Sequence, residues 1–153
     1  MKSIARLLLL TPFIFACSNK TSYTGEKILT IEHDESGQFV EVKAQHMFEN
    51  AYQGKIDSIY YIGDDNCVAC TELKPKIGVW MAQHQARVYY IKYASIDDEN
   101  FTYLSNSTVG YYEWTEKSTV PAVYFFANGD VVFKGDDSNT MNYLNRYVGV
   151  KII

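Results

Sequence analysis

Apolar positions recur along this chain with two different periods. Ile59 to Ile62 is a near-continuous apolar run, rich in β-branched and aromatic residues. Such a run suits a strand buried on both faces. Gly63, Asp64, Asp65 and Asn66 are turn-forming residues and end it. The period then changes. From Val68 to about Gln85, Leu73, Ile77, Trp80 and Met81 fall at i, i+4, i+7 and i+8, the apolar stripe of a helix lying on a sheet. Trp80 and Met81 therefore read as core, and His84 sits near the helix C-terminus, where positive charge is favoured. Arg87 to Tyr93 reads as the next strand, parallel to the first because a helix connects them.

The flanking segments extend this α/β pattern. Lys27–Ile31 and Phe39–Lys43 are β-like runs, separated by turn residues that include a solvated His33. Ala44–Gln53 reads as a short helix with Met47, Phe48 and Ala51 on one face, closed by Gly54 as a C-cap. His46 on this helix has no visible partner. Ser95 to about Ser105 is a weaker helix with Asp97, Asp98 and Glu99 in its first turn. Ala122–Phe126 and Val131–Phe133 flank Asn128-Gly129, and Asp136–Val148 reads as a closing helix capped by Ser138 or Asn139. Asn106–Lys117 has no clean period. It carries Gly110 and the aromatics Tyr111, Tyr112 and Trp114, and reads equally as a packed loop or a substrate-facing element.

The first residues change where the chain is expected to work. Lys2 and Arg6 precede an apolar stretch, Leu7–Phe15, too short to span a bilayer. Ile14 and Ala16 before Cys17 resemble a bacterial lipoprotein signal, with Phe15 bulkier than that position usually holds. Residues 1–16 are then a signal peptide. Residues 17–37 are a lipidated Cys17, a polar tether and the start of the N-terminal strand region, and residues 38–153 are one domain. Cysteine arithmetic agrees, because three cysteines leave one beyond a pair. The alternative is an ordinary secretory signal. Either way the domain is expected outside the cytoplasm, where disulfides persist. Loss of Lys2 and Arg6 takes the formal net charge from −4 to −6, a poor balance for nucleic-acid binding. Thirteen tyrosines fit a sheet protein, or mark an interaction face.

The candidate chemistry lies where the central strand hands over to the helix. Cys67 and Cys70 stand three apart at a helix start, where free N–H groups and the dipole favour a thiolate. Cys67 is the exposed candidate nucleophile and Cys70 the less accessible resolving thiol. No second CxxC and no HxxxH exist to complete a zinc site, and Thr71 stands where haem attachment needs His. No metal or cofactor is expected. A redox-active pair and a purely structural disulfide both remain open on this local signal.

Strand, CxxC and helix together resemble the thioredoxin superfamily. Pro75 lies where such helices carry a kinking proline, and Ser118-Thr119-Val120-Pro121 resembles the cis-proline loop that precedes the family's hairpin. The resemblance covers about residues 38 to 150. It implies a thioredoxin-like fold, a central mixed sheet flanked by helices, with a cis Pro121. It further implies that the Val120 backbone and Pro121 hold an extended substrate, and that Cys67 and Cys70 form the exchanging disulfide. Tyr61 stands where thioredoxins carry a buried acid, Asn66 replaces the usual Trp, and the intervening pair is Val68-Ala69. Size and the YIG…C..C region are also loosely similar to thioredoxin-like accessory proteins of Gram-positive bacteriocins. The implied activity is an extracytoplasmic, membrane-anchored thiol–disulfide oxidoreductase, with client proteins or peptides and a recycling redox partner. The alternative is a non-catalytic accessory lipoprotein with a structural disulfide.

Overall fold

In a computed structural model, residues 29–110 and 112–151 are described. The signal segment, Cys17, the tether and Tyr111 lie outside the described residues. The elements in chain order are β1 (Leu29–Glu32), β2 (Val40–Glu41), α1 (Ala44–His46) running on as a π-helical segment (Met47–Gln53), β3 (Ser58–Gly63), α2 (Val68–His84) and β4 (Tyr89–Lys92). A 3-10 turn (Tyr93–Ser95), α3 (Asp98–Ser107), β5 (Ala122–Ala127), β6 (Asp130–Gly135), α4 (Thr140–Tyr147) and β7 (Val148–Lys151) follow.

The main sheet has strand order β2-β4-β3-β5-β6. β2, β4 and β3 run parallel, while β5 and β6 run antiparallel to their neighbours. The central position of β3 explains its composition: all six of its residues are buried. Its side chains alternate between two layers. Ile59 and Tyr61 pack with Val123 and Phe125 against Leu73, Ile77, Trp80 and Met81 of α2 and Tyr143 and Leu144 of α4. Tyr60 and Ile62 pack with Tyr124 and Phe126 against Ala44, Met47 and Ala51, and against Leu104 and Trp114. Both faces are covered, so a continuous apolar run is what the strand requires.

The hairpin turn is as the sequence implies. Asn128 and Gly129 take φ of 52° and 94°, the left-handed pair of a two-residue hairpin. Other boundaries differ for physical reasons. The expected strand Phe39–Lys43 shrinks to two residues, while the Phe39 ring turns inward onto the core beneath α2. Gly54 does cap the helix, its N–H donating to the Glu49 carbonyl at 2.9 Å, but its φ is −73° and Lys55 takes the positive φ. Gly54 is needed for space, because a Cβ there meets the Asn50 carbonyl oxygen at 2.5 Å. The closing helix starts at Thr140, and neither Ser138 nor Asn139 caps it with a side chain. Asp136 does the turn-forming work, its Oδ1 accepting the N–H of Ser138 at 2.9 Å and of Asn139 at 3.2 Å. Val148 leaves the helix and opens β7, which pairs in parallel with β1. That pair brings Leu29, Ile31 and Val148 into the core under α2 and α4, so β1 belongs to the folded body.

Candidate active site

Cys67 is the N-cap of α2, with φ −90° and ψ 119°. Three turn interactions put it there. Asp64 Oδ1 accepts the Asn66 N–H at 2.8 Å, the Asp64 carbonyl accepts the Cys67 N–H at 3.2 Å, and the Cys67 carbonyl accepts the Thr71 N–H at 3.0 Å. Asp64 thus folds the strand-to-helix connection. Cys67 and Cys70 form a disulfide with Cα atoms 5.1 Å apart. The Cys70 N–H points at Cys67 Sγ, 3.2 Å away. A helix N-terminal N–H donating to sulfur stabilises the thiolate once the bond is reduced. Cys67 is half-buried and Cys70 only 2 % exposed, which separates an accessible sulfur from a shielded one. Val68 between them is 77 % exposed, an apolar residue at the mouth of the site.

The opposite wall is the loop before β5. The Val120–Pro121 peptide bond is cis. The Val120 carbonyl oxygen lies 3.5 Å from Cys67 Sγ, so the structure brings Val120 and Pro121 against the disulfide. A hollow of about 290 Å³ opens behind this loop, lined by Thr119, Pro121, Lys134, Gly135 and Asp136. Burial lowers the pKa of the Lys134 ammonium, and Asp136 partly opposes that. Nothing in the sequence around Lys134 pointed to this place. Only the pairing of β6 with β5 brings it there.

The floor of the site is aromatic. Tyr61 is fully buried and its hydroxyl donates to the Cys70 carbonyl at 3.4 Å. Burial holds this phenol far above its ordinary pKa, with Tyr90 and Asp65 adding to the effect, so it is a neutral donor and no base. Gly63 makes room for it, since a Cβ at Gly63 falls 2.5 Å from the Tyr61 hydroxyl. Tyr90 donates to the Gly63 carbonyl at 3.4 Å, and Lys74 Nζ lies 3.8 Å from the centroid of the Tyr90 ring. Tyr61, at the position where thioredoxins carry a buried acid, lies under the dithiol turn, while Gly63, read from the sequence only as a turn residue, gives it room. The signal was available, as a glycine directly ending a buried strand often marks a close approach.

The three histidines have more specific surroundings than the sequence alone suggests. His46 has partners: Nδ1 lies 2.9 Å from the Tyr60 hydroxyl, and its ring centroid is 4.6 Å from that of Tyr89. His33 pairs with Gln85 at 3.1 Å rather than being merely solvated. His84 stacks on Trp80 and approaches the Trp80 carbonyl at 2.8 Å. The segment before the loop also resolves. Trp114 is 2 % exposed, fixed by its N–H to Thr108 Oγ1 at 2.7 Å and its carbonyl to Ser105 Oγ at 2.8 Å. Glu113 and Thr115–Lys117 around it are exposed, so one segment is both packed and surface-facing.

No protein-family model and no curated protein matches the chain. Solved structures do match in shape. Oxidised thioredoxin O1 from Arabidopsis thaliana superposes with a TM-score of 0.53 at 18% identity, over 71% of this chain and 96% of that one. Thioredoxin f2 from Chlamydomonas reinhardtii gives 0.53 at 11% identity, over 71% and 94%. The long form of spinach chloroplast thioredoxin f gives 0.52 at 13% identity, over 72% and 84%. At such identities the likeness concerns architecture, and together with the mixed sheet and flanking helices it establishes that this chain has the thioredoxin fold.

Proposed function

We propose that the protein is an extracytoplasmic thiol–disulfide oxidoreductase, held at a bacterial membrane by a lipid on Cys17 and acting on secreted or surface proteins. One observation carries the catalytic part: Cys67 Sγ receives the Cys70 N–H at the start of α2 while facing the Val120 carbonyl beside a cis proline. The location rests on the sequence of residues 1–17. No helix among the described residues is long and apolar enough to cross a membrane.

The exchange balances in either direction. In the reducing direction the Cys67 thiolate attacks one sulfur of a client disulfide, forming a mixed disulfide and releasing one client thiolate. Cys70, deprotonated, then attacks Cys67 Sγ. The Cys67–Cys70 bond forms, the second client thiolate leaves, and two electrons have passed to the client. In the oxidising direction a client thiolate attacks the Cys67–Cys70 bond and the same steps run backwards. A redox partner restores the starting state.

Cys70→Ser tests the reading. The variant is expected to accumulate mixed disulfides through Cys67, visible on non-reducing gels and removed by dithiothreitol. An absence of adducts, with the reduced Cys67 also inert to alkylation at neutral pH, overturns it in favour of a structural disulfide. Equilibration against glutathione then gives the direction of flow. A potential of about −120 to −180 mV marks a disulfide donor, and about −270 mV a reductant.

A further inference from the structure

Between the end of β4 and the loop before β5 lie two adjoining hollows of about 460 and 470 Å³. They share Phe101, Trp114, Thr115 and Glu116, so they form one groove. Tyr93, 42 % exposed, and Ile96 form one bank. Glu113, Glu116 and Lys117 stand on the other. The groove also reaches Ser118, two residues before Val120 and hence within about 8 Å of chain from the residue that faces Cys67. It therefore lies close along the chain to the residue that faces the disulfide.

Its chemistry is one-sided. The floor is aromatic, with Phe101 and the nearly buried Trp114 lining both hollows. Both ion pairs among the described residues belong to Arg87, so Glu113 and Glu116 have no cation at salt-bridge distance there. Lys117 is the single cation lining the groove. A lysine or arginine side chain matches this arrangement. Its methylenes cover aromatic surface and its charge meets carboxylates at the rim.

We propose that this groove is a specificity subsite for a lysine or arginine flanking the client's reactive cysteine, selecting basic, extended client segments. The proposal rests on the oxidoreductase reading for its context but is tested without any redox step. The probes are short synthetic peptides with serine in place of cysteine and lysine, glutamine or glutamate a few residues away. They are titrated into the oxidised full chain in mild detergent while the Trp114 indole N–H resonance is followed.

The lysine peptide is expected to shift that resonance and the glutamate peptide to leave it unmoved. Glu113→Gln and Glu116→Gln, both at exposed positions, should weaken lysine-peptide binding about two- to five-fold per carboxylate removed. Added salt should weaken it further. Equal binding of the three peptides overturns the subsite, as does a shift at Trp80 alone. A concentration-dependent dimer that the peptides do not displace also overturns it, by making the groove a self-interface. Selective binding by a protein whose Cys70→Ser form traps nothing leaves the subsite standing and removes the oxidoreductase reading. Trapping without selective binding does the reverse.

Discussion

Tyr60 and Tyr61 are adjacent on the central strand, both fully buried, and they serve different layers. Tyr60 points to the side of α1 and α3. Its hydroxyl meets His46 Nδ1 at 2.9 Å and Asn50 Nδ2 at 3.3 Å, and its ring stacks on Tyr89 at 5.0 Å. Tyr61 points to the side of α2 and meets the Cys70 carbonyl, with Phe39 and Tyr90 rings 5.7 and 5.6 Å away. Tyr60 therefore ends its hydroxyl among structural partners, and Tyr61 ends its hydroxyl at the dithiol turn. The lesson is that burial alone does not tell a structural tyrosine from one that supports chemistry; the residue at the far end of its hydroxyl does.

The largest test of that division truncates both rings. Tyr60→Ala and Tyr61→Ala should each cost roughly 3–5 kcal/mol, as aromatic-to-alanine changes in packed cores do. Urea unfolding measures this. Per folded molecule, only Tyr61→Ala should alter the rate of disulfide exchange with a small disulfide, because only Tyr61 contacts the dithiol turn. Equal exchange rates in the two variants break the division.

A smaller change sharpens it. Gly63→Ala places a methyl group 2.5 Å from the Tyr61 hydroxyl, a core overpacking that should cost about 1–3 kcal/mol. The strain falls on Tyr61, so Gly63→Ala combined with Tyr61→Ala should destabilise less than the sum of the two, in a double-mutant cycle. Additive losses mean that Gly63 answers to something other than Tyr61.

These tyrosines also mark how far the sequence could be read. The pattern Ile59–Ile62 announced a strand covered on both faces, and the thiol spacing at a helix start announced an accessible and a shielded sulfur. Both follow from local periods and turn residues, which one segment contains in full. Elements that depend on distant partners were not legible. Val148 looks like the last residue of a helix, and Gly149 to Lys151 like no element, until β1 is there to pair with them. His46 looks unpartnered because Tyr60 and Tyr89 are brought to it by separate strands. Lys134 reaches the rim of the site only through hairpin register. Asn106–Lys117 defied a period because Thr108 and Ser105 side chains, rather than a backbone ladder, hold Trp114 in place.

The smallest effect is a pH dependence belonging to the Tyr60 layer alone. Burial lowers the pKa of His46, while Glu49 and Glu32 pull it back toward its ordinary value of 6.5. The unfolded chain therefore binds a proton there more readily than the folded one. By linkage, stability from a neutral His46 is complete above about pH 6.5 and is lost as pH falls from there through the lower, folded pKa. The depressed carboxyls of Asp34 and Asp136, held by hydrogen bonds from Ser36 and Ser138, act in a separate window starting below 3.8. Urea midpoints taken between pH 7.5 and 5 should fall in the native chain, and the His46→Gln variant should show a flatter profile over that range. At fixed neutral pH the same variant should leave the disulfide-exchange rate unchanged, since His46 faces Tyr60 and Tyr89 across the sheet from Cys70. An exchange rate that follows His46 couples the two layers through the Tyr60–Tyr61 backbone, and the sheet then transmits what its two faces were taken to keep apart.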